Sequence, residues 1–300
     1  MQAVTTLERC RELVRAAFPW LDAGHIEPLG AGWDCTAFVV DGRLVFRFPR
    51  RAEVVAALAV EVALLAELGP SLSLPVPRPD HVAPSALDFR WPFAGYPLLP
   101  GVPLDPSALD DAATERVANE LGGFLSALHR FPTDRAAELG VPVYTPEAWV
   151  ARTAELWRGA QPLVVEGLGV ERARSLDAGW ETRLGNPALM DFRPVLVHGD
   201  LALEHVLVEP RSGVVSGVID FGDAMVADPA LDYAGFPESF ARRVLRASGE
   251  REDAAFWARR ALCVQAAPLH AVLAGVELGR DELLAQGLER LARQEGSHQG

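Results

Sequence analysis

The octet His198-Gly199-Asp200-Leu201-Ala202-Leu203-Glu204-His205 sets a carboxylate five residues before an imidazole. Asp220-Phe221-Gly222-Asp223 follows after one hairpin's length of chain. Together these residues could carry phosphoryl transfer. One carboxylate, Asp200, can orient an attacking hydroxyl and accept its proton. Asp220 and His205 can hold Mg²⁺ against nucleotide phosphates. Magnesium prefers oxygen donors, so Asp220 is the firmer ligand. His205 could instead hydrogen-bond a ligand water or Asp200. A buried His-Asp pair beside an Asp-rich turn is the plain alternative, but it leaves the two spacings unexplained.

The flanking sequence can position both clusters. Val195-Leu196-Val197 reads as a strand running into the first. Val206 to Val208 and Val214 to Ile219 read as two strands joined by the turn sequence at 209–213, which would put both clusters at one edge. Toward the N-terminus, Thr6 can cap a helix from about Leu7 to Phe18, ahead of Pro19. Strands are expected at Glu27 to Leu29, Thr36 to Val40 and Leu44 to Phe48, with Asp41-Gly42 as a tight hairpin turn. A helix from about Val54 to Leu68 and a strand at Phe93 to Leu98 follow. Beyond residue 101 the pattern is mainly helical, with an amphipathic stretch at Asp110 to His129. Helices are also expected at Glu238 to Ala247, Asp253 to Val276 and Asp281 to Gln294, and a frayed tail over Gly296 to Gly300.

Composition removes several classes. The 300 residues, 49% hydrophobic, suffice for one large domain or two lobes. The chain has no lysine, so a lysine-bearing P-loop and Schiff-base chemistry are excluded. A net charge of −13 argues against nucleic acid or anionic membranes as partners and would attract a polycation. Cys10, Cys35 and Cys263 lack metal or disulfide spacing. No signal core or 18-residue apolar window is present, so a soluble cytoplasmic protein is expected, with no obligate protein partner evident.

At the two clusters the sequence resembles the antibiotic phosphotransferases, relatives of the eukaryotic protein kinases. Gly199 stands where the kinase loop H-R-D-x-x-x-x-N has Arg, and His205 where it has Asn. The form H-G-D-x-x-x-x-H followed by I-D-F-G-D-A is similar to the aminoglycoside 2''-phosphotransferases. Macrolide phosphotransferases share the His but usually carry Trp where this chain has Phe221. The resemblance implies an α+β, bilobal, protein-kinase-like fold. A small antiparallel-sheet lobe over residues 1–96 would bind nucleotide. A linker at 97–101 would lead to a larger, mainly helical lobe over 102–300 that carries catalysis and the acceptor.

The resemblance also assigns roles. Gly30-Ala31-Gly32 would lie over the nucleotide phosphates, although as a lone G-x-G it could be an ordinary hairpin. Arg47 takes the place of the kinase third-strand lysine, pairing with Glu61 on the next helix; otherwise it is an exposed strand residue. The segment from Tyr96 to Gly101 would link the lobes, its backbone bonding the purine edge while Leu98 and Leu99 flank the base, leaving ATP against GTP open. His198 would support the loop, and Asp232 would brace it. The acceptor would be a small hydroxyl compound, most simply a cationic aminoglycoside held by Glu238, Glu277 and Asp281 together with Asp200. Glu282 is a further candidate, and Trp33 and Trp257 are expected to pack rather than stack on the acceptor. A macrolide phosphotransferase, a kinase of choline, homoserine or sugar type, and a nucleotide-binding pseudokinase remain as alternatives.

Overall fold

A computed structural model describes residues 6–32, 34–210 and 212–294. Trp33 and the tail 296–300, for which packing and fraying were expected, lie outside the described residues.

Helix α1 (Leu7–Ala17) starts where Thr6 accepts a hydrogen bond from the Arg9 amide. Strands β1 (Ile26–Ala31), β2 (Cys35–Val40) and β3 (Leu44–Pro49) form an antiparallel run. Pro28, which has no N–H for a ladder, sits on the edge strand β1 beside a bulge. Asp41 and Gly42 both adopt positive φ, 51° and 65°, as a tight hairpin of this twist requires. The Asp41 carboxylate accepts from the Ala23 and His25 amides, fixing the approach to β1. Helix α2 (Ala52–Leu68) follows. The short strand β4 (His81–Ala83) and β5 (Phe93–Pro97) complete a sheet of order β1-β2-β3-β5-β4. Three residues are too few for alternation to show, and β4 was not legible in the sequence.

One face of this sheet is aromatic. Phe38, Phe46, Phe48, Phe89 and Phe93 pack with Leu13, Val14 and Phe18 of the first helical segment in one buried cluster. Burying each such ring contributes roughly 1.5–3 kcal/mol. Gly95 is glycine because a Cβ would stand 2.4 Å from the Phe46 ring.

The remainder begins with β6 (Val102–Pro103) and helices α3 (Asp111–Leu128), α4 (Thr133–Glu138), α5 (Pro146–Leu168) and α6 (Val170–Leu184). Strands β7 (Val195–Val197), β8 (Val206–Val208), β9 (Val215–Val218) and β10 (Met225–Ala227) come next, then helices α7 (Glu238–Ser248), α8 (Ala254–Glu277) and α9 (Asp281–Gln294). β8 and β9 make the expected hairpin, extended by β6, while β7 pairs with β10. The largest core joins Leu121, Phe124 and Leu128 of α3 to Phe221, Tyr233, Phe240 and Phe256. Leu64, Leu65 and Leu68 of α2 enter this same core, so the end of α2 packs with the helical part of the chain. A small antiparallel sheet with a helical remainder is the arrangement of the protein-kinase-like fold.

Candidate active site

The loop after β7 is held from beneath by one carboxylate. Asp232 is fully buried and accepts from the His198 and Gly199 amides, each at 3.0 Å. It also pairs with His129 Nε2 at 3.0 Å. Burial alone would lower the His129 pKa, but its hydrogen bonds to Asp232 and Glu250 outweigh burial and hold it at about 9. The charge of Asp232 is therefore balanced inside the core. Gly199 turns the chain with φ 88°, and a Cβ there would fall 2.0 Å from the Asp223 carbonyl oxygen. Only glycine meets both demands, which accounts for the residue that replaces arginine in this loop.

His198 is buried and neutral, its pKa lowered first by burial. Its Nε2 donates to the Ile219 carbonyl, and its Nδ1 accepts from the Asp200 amide. One ring thus ties the two clusters together. Phe221 adds an apolar anchor, 4.6 Å from the His198 ring and 1% exposed. Asp220 sits between these anchors with φ 69°, a conformation that non-glycine residues rarely adopt and that a surrounding scaffold must impose.

Above the loop, Arg47 of β3 forks between Glu61 (2.6 Å) and Asp220 (3.1 Å). Its side chain is 13% exposed, so it is no surface strand residue. Burial would weaken the guanidinium charge, but Glu61 and Asp220 outweigh it. Burial pushes the Glu61 carboxyl upward against the pull of Arg47. The Tyr96 phenol stays neutral, its pKa raised by burial beside the same set.

His205 Nδ1 lies 2.6 Å from the Asp200 carbonyl oxygen, so that nitrogen carries the proton. Its Nε2 lies 3.8 Å from Asp220 Oδ2. Among the described residues no three metal-competent side chains are grouped to hold an ion alone. Magnesium, however, is commonly bound by one or two carboxylates with phosphates and water. The Asp220 carboxylate oxygens and His205 Nε2 are the donors here that fit that need. Asp200 opens to a cavity. Burial, opposed by His205 and reinforced by Asp223 and Asp220, pushes its pKa up to about 6.

The glycine loop folds back over this region. Arg50 donates to the Gly32 carbonyl at 2.7 Å, and Asp34 is close enough to Asp223 to raise its pKa, after burial and Asp220. A Cβ on Gly30 would meet nothing within 4 Å, so the loop is open to a ligand there. The Gly32 N–H is committed to the Cys35 carbonyl rather than free for a phosphate. The Leu98 amide likewise donates to the Arg43 carbonyl. Leu99 packs over Gly217, where a Cβ would come within 2.8 Å of its Cδ1.

The structure does not gather the expected acceptor carboxylates. Glu277 bonds Arg51 at 2.5 Å, and Glu238 pairs with Arg242 one helical turn away. Asp281 and Glu282 are exposed in the first turn of α9. None of them lines the cavity of about 170 Å³ that contains Asp200. Glu277 and Glu238 stand at helix ends, each held by an arginine. Trp257 packs against Phe256 and beneath Arg242, as expected of a packing residue. The cavity wall comes instead from α5 and α8, with Trp149, Arg152 and His270 among its residues. Thr145-Pro146-Glu147 is a readable helix start, and it was the available signal for α5.

Residues 25–275 match the phosphotransferase enzyme family. The chain belongs to that family. The GDP complex of wild-type aminoglycoside 2'-phosphotransferase-IIIa is similar to this family member over 97% of this chain and 99% of that one, at 27% identity and TM-score 0.86. The macrolide 2'-phosphotransferase of Brachybacterium faecium is similar over 95% and 97%, at 28% identity and TM-score 0.71. Viomycin phosphotransferase of Streptomyces vinaceus is 29% identical over 202 residues, 66% of this chain and 65% of that protein. The chain spans about 65% of the length of the curated relatives it matches. No described helix is long and apolar enough to cross a membrane.

Proposed function

We propose that this protein transfers the γ-phosphate of ATP or GTP to a hydroxyl of a small molecule. The observation that carries the reading is the chain of contacts Glu61–Arg47–Asp220, with His205 Nε2 and Asp200 on the same loop system. Residues 1–96 bind the nucleotide, with Arg47 on its phosphates and Tyr96, Leu98 and Leu99 around the base. The segment 97–101 links this lobe to residues 102–300, which hold the catalytic loop and the acceptor, in a cytoplasmic protein. Asp220 and His205 would hold Mg²⁺, which when bound neutralises developing phosphate charge. Asp200 orients the acceptor hydroxyl and takes its proton as the new bond forms. The family includes antibiotic kinases, and an antibiotic is one candidate acceptor.

Asp200→Ala should abolish acceptor-dependent turnover and leave nucleotide affinity, read by isothermal titration, within about twofold. Turnover retained in that variant would remove Asp200 from the mechanism.

A further inference from the structure

The cavity beside Asp200 has a chemistry that phosphoryl transfer alone does not require. Trp149, Leu156, Leu201, Leu231, Leu262 and Ala266 make most of its wall apolar. Arg152 also lines it, half-buried, its guanidinium carbon 5.5 Å from the Tyr144 ring centre and 5.6 Å from that of Trp149. Among the described residues Arg152 has no hydrogen bond or ion pair. Burial, then Asp220 and Asp34, raise the Asp223 carboxyl and Arg152 acts against them, so the guanidinium has a carboxylate within electrostatic reach but none within bonding distance among the described residues. His270, in the same wall, is kept neutral: burial, then the charge of Arg152, pushes its pKa down to about 4. Asp200 is the one carboxylate among the described lining residues.

The lining holds one carboxylate, Asp200, and one guanidinium, Arg152. Asp223, Asp220 and Glu204 act on Asp200 from outside it, while the lining is mostly apolar. It suits an acid with an apolar body. A guanidinium is a planar fork of donors matched to a carboxylate, and stacking on aromatic faces holds that fork in place. The aliphatic and aromatic wall would cover the body of such a molecule.

We infer that the acceptor is a hydroxyl compound with an apolar body and a carboxylate, the carboxylate bound by Arg152. The inference rests on the phosphotransfer reading above. The acceptor oxygen bonds to the γ-phosphorus, and the bond from that phosphorus to the β–γ bridging oxygen breaks. The hydroxyl proton passes to Asp200, the nucleoside diphosphate leaves, and the product is a phosphate monoester of the hydroxy acid.

The test uses 3-hydroxy-3-phenylpropanoate and 10-hydroxydecanoate, their methyl esters, kanamycin and erythromycin, with the full chain, nucleotide and Mg²⁺. Nucleoside diphosphate release reports turnover, and saturation-transfer NMR reports binding. At least one acid should bind and stimulate release, with its ester showing a KM roughly 10- to 100-fold higher, the loss expected for a charge-assisted pair. Arg152→Gln should bring the acid-to-ester ratio toward one, a change that mere loss of folded protein does not produce. Turnover of kanamycin with no binding of either acid would overturn the inference, as would an acid-to-ester ratio unmoved in Arg152→Gln. Binding of none of the acids would also count against it. Failure of the underlying reading has a separate signature: slow nucleotide hydrolysis without acceptor that is unchanged in Asp200→Ala.

Discussion

Asp232→Asn should weaken the protein by about 2–5 kcal/mol and flatten its stability against pH. Asp232 Oδ1 accepts from the Gly199 amide, and Oδ2 from the His198 amide and His129 Nε2. Asparagine keeps the shape but offers one oxygen. However the amide sits, its NH₂ faces at least one backbone N–H, and a stranded buried donor costs about 1–3 kcal/mol. The charge opposite His129 is lost as well. His129 stands at about 9 against an ordinary 6.5, a difference of 2.5. At 1.36 kcal/mol per unit this is worth about 3 kcal/mol, shared between Asp232 and Glu250. Because the folded value is raised, the contribution is complete below about pH 6.5 and is lost as pH climbs through about 9. Urea unfolding from pH 6 to 9.5 measures both effects. Wild-type stability should fall across that window, and the variant should fall less, so the gap between them narrows with pH. kcat should drop more than nucleotide affinity, since the backbone of Gly199 and Asp200 loses its anchor. A variant within about 0.5 kcal/mol of wild type, or one with the same pH slope, would refute the reasoning.

Two further substitutions probe the loop and Arg47. Gly199→Ala should lower stability by about 3 kcal/mol and remove turnover, because its Cβ would stand 2.0 Å from the Asp223 carbonyl at a φ of 88°; a thermal melt and activity like wild type would contradict this. Arg47→Lys should raise the nucleotide KM roughly tenfold, since one ammonium replaces a fork that spans Glu61 and Asp220. Titration with nucleotide that shows no change would separate Arg47 from phosphate binding.

Motif geometry was readable because short-range sequence dictates it. The His198–His205 spacing, the Asp220 cluster and the hairpin between them depend on local turns, and the structure brings them together as a unit. Arg47 and Glu61 were also placed, since strand, turn and helix signals around them are strong. The wall of the cavity beside Asp200 was not readable. Its residues come from α5, α8 and two loops, and nothing local marks Arg152 or His270 as neighbours of Asp200. The acidic composition suggested carboxylates gathered at the acceptor, but Glu277 is engaged by Arg51 and Glu238 by Arg242. His129 was missed for the same reason: its partner Asp232 lies 103 positions away in sequence.

The account rests on transfer of a phosphoryl group to a hydroxyl, and ³¹P NMR reads that directly. With ATP or GTP, Mg²⁺ and an acceptor, the γ-phosphate signal should be replaced by nucleoside diphosphate and a phosphate monoester, at a rate that Asp200→Ala abolishes. Free phosphate as the sole product at an acceptor-independent rate, or monoester formation that survives Asp200→Ala, would contradict it.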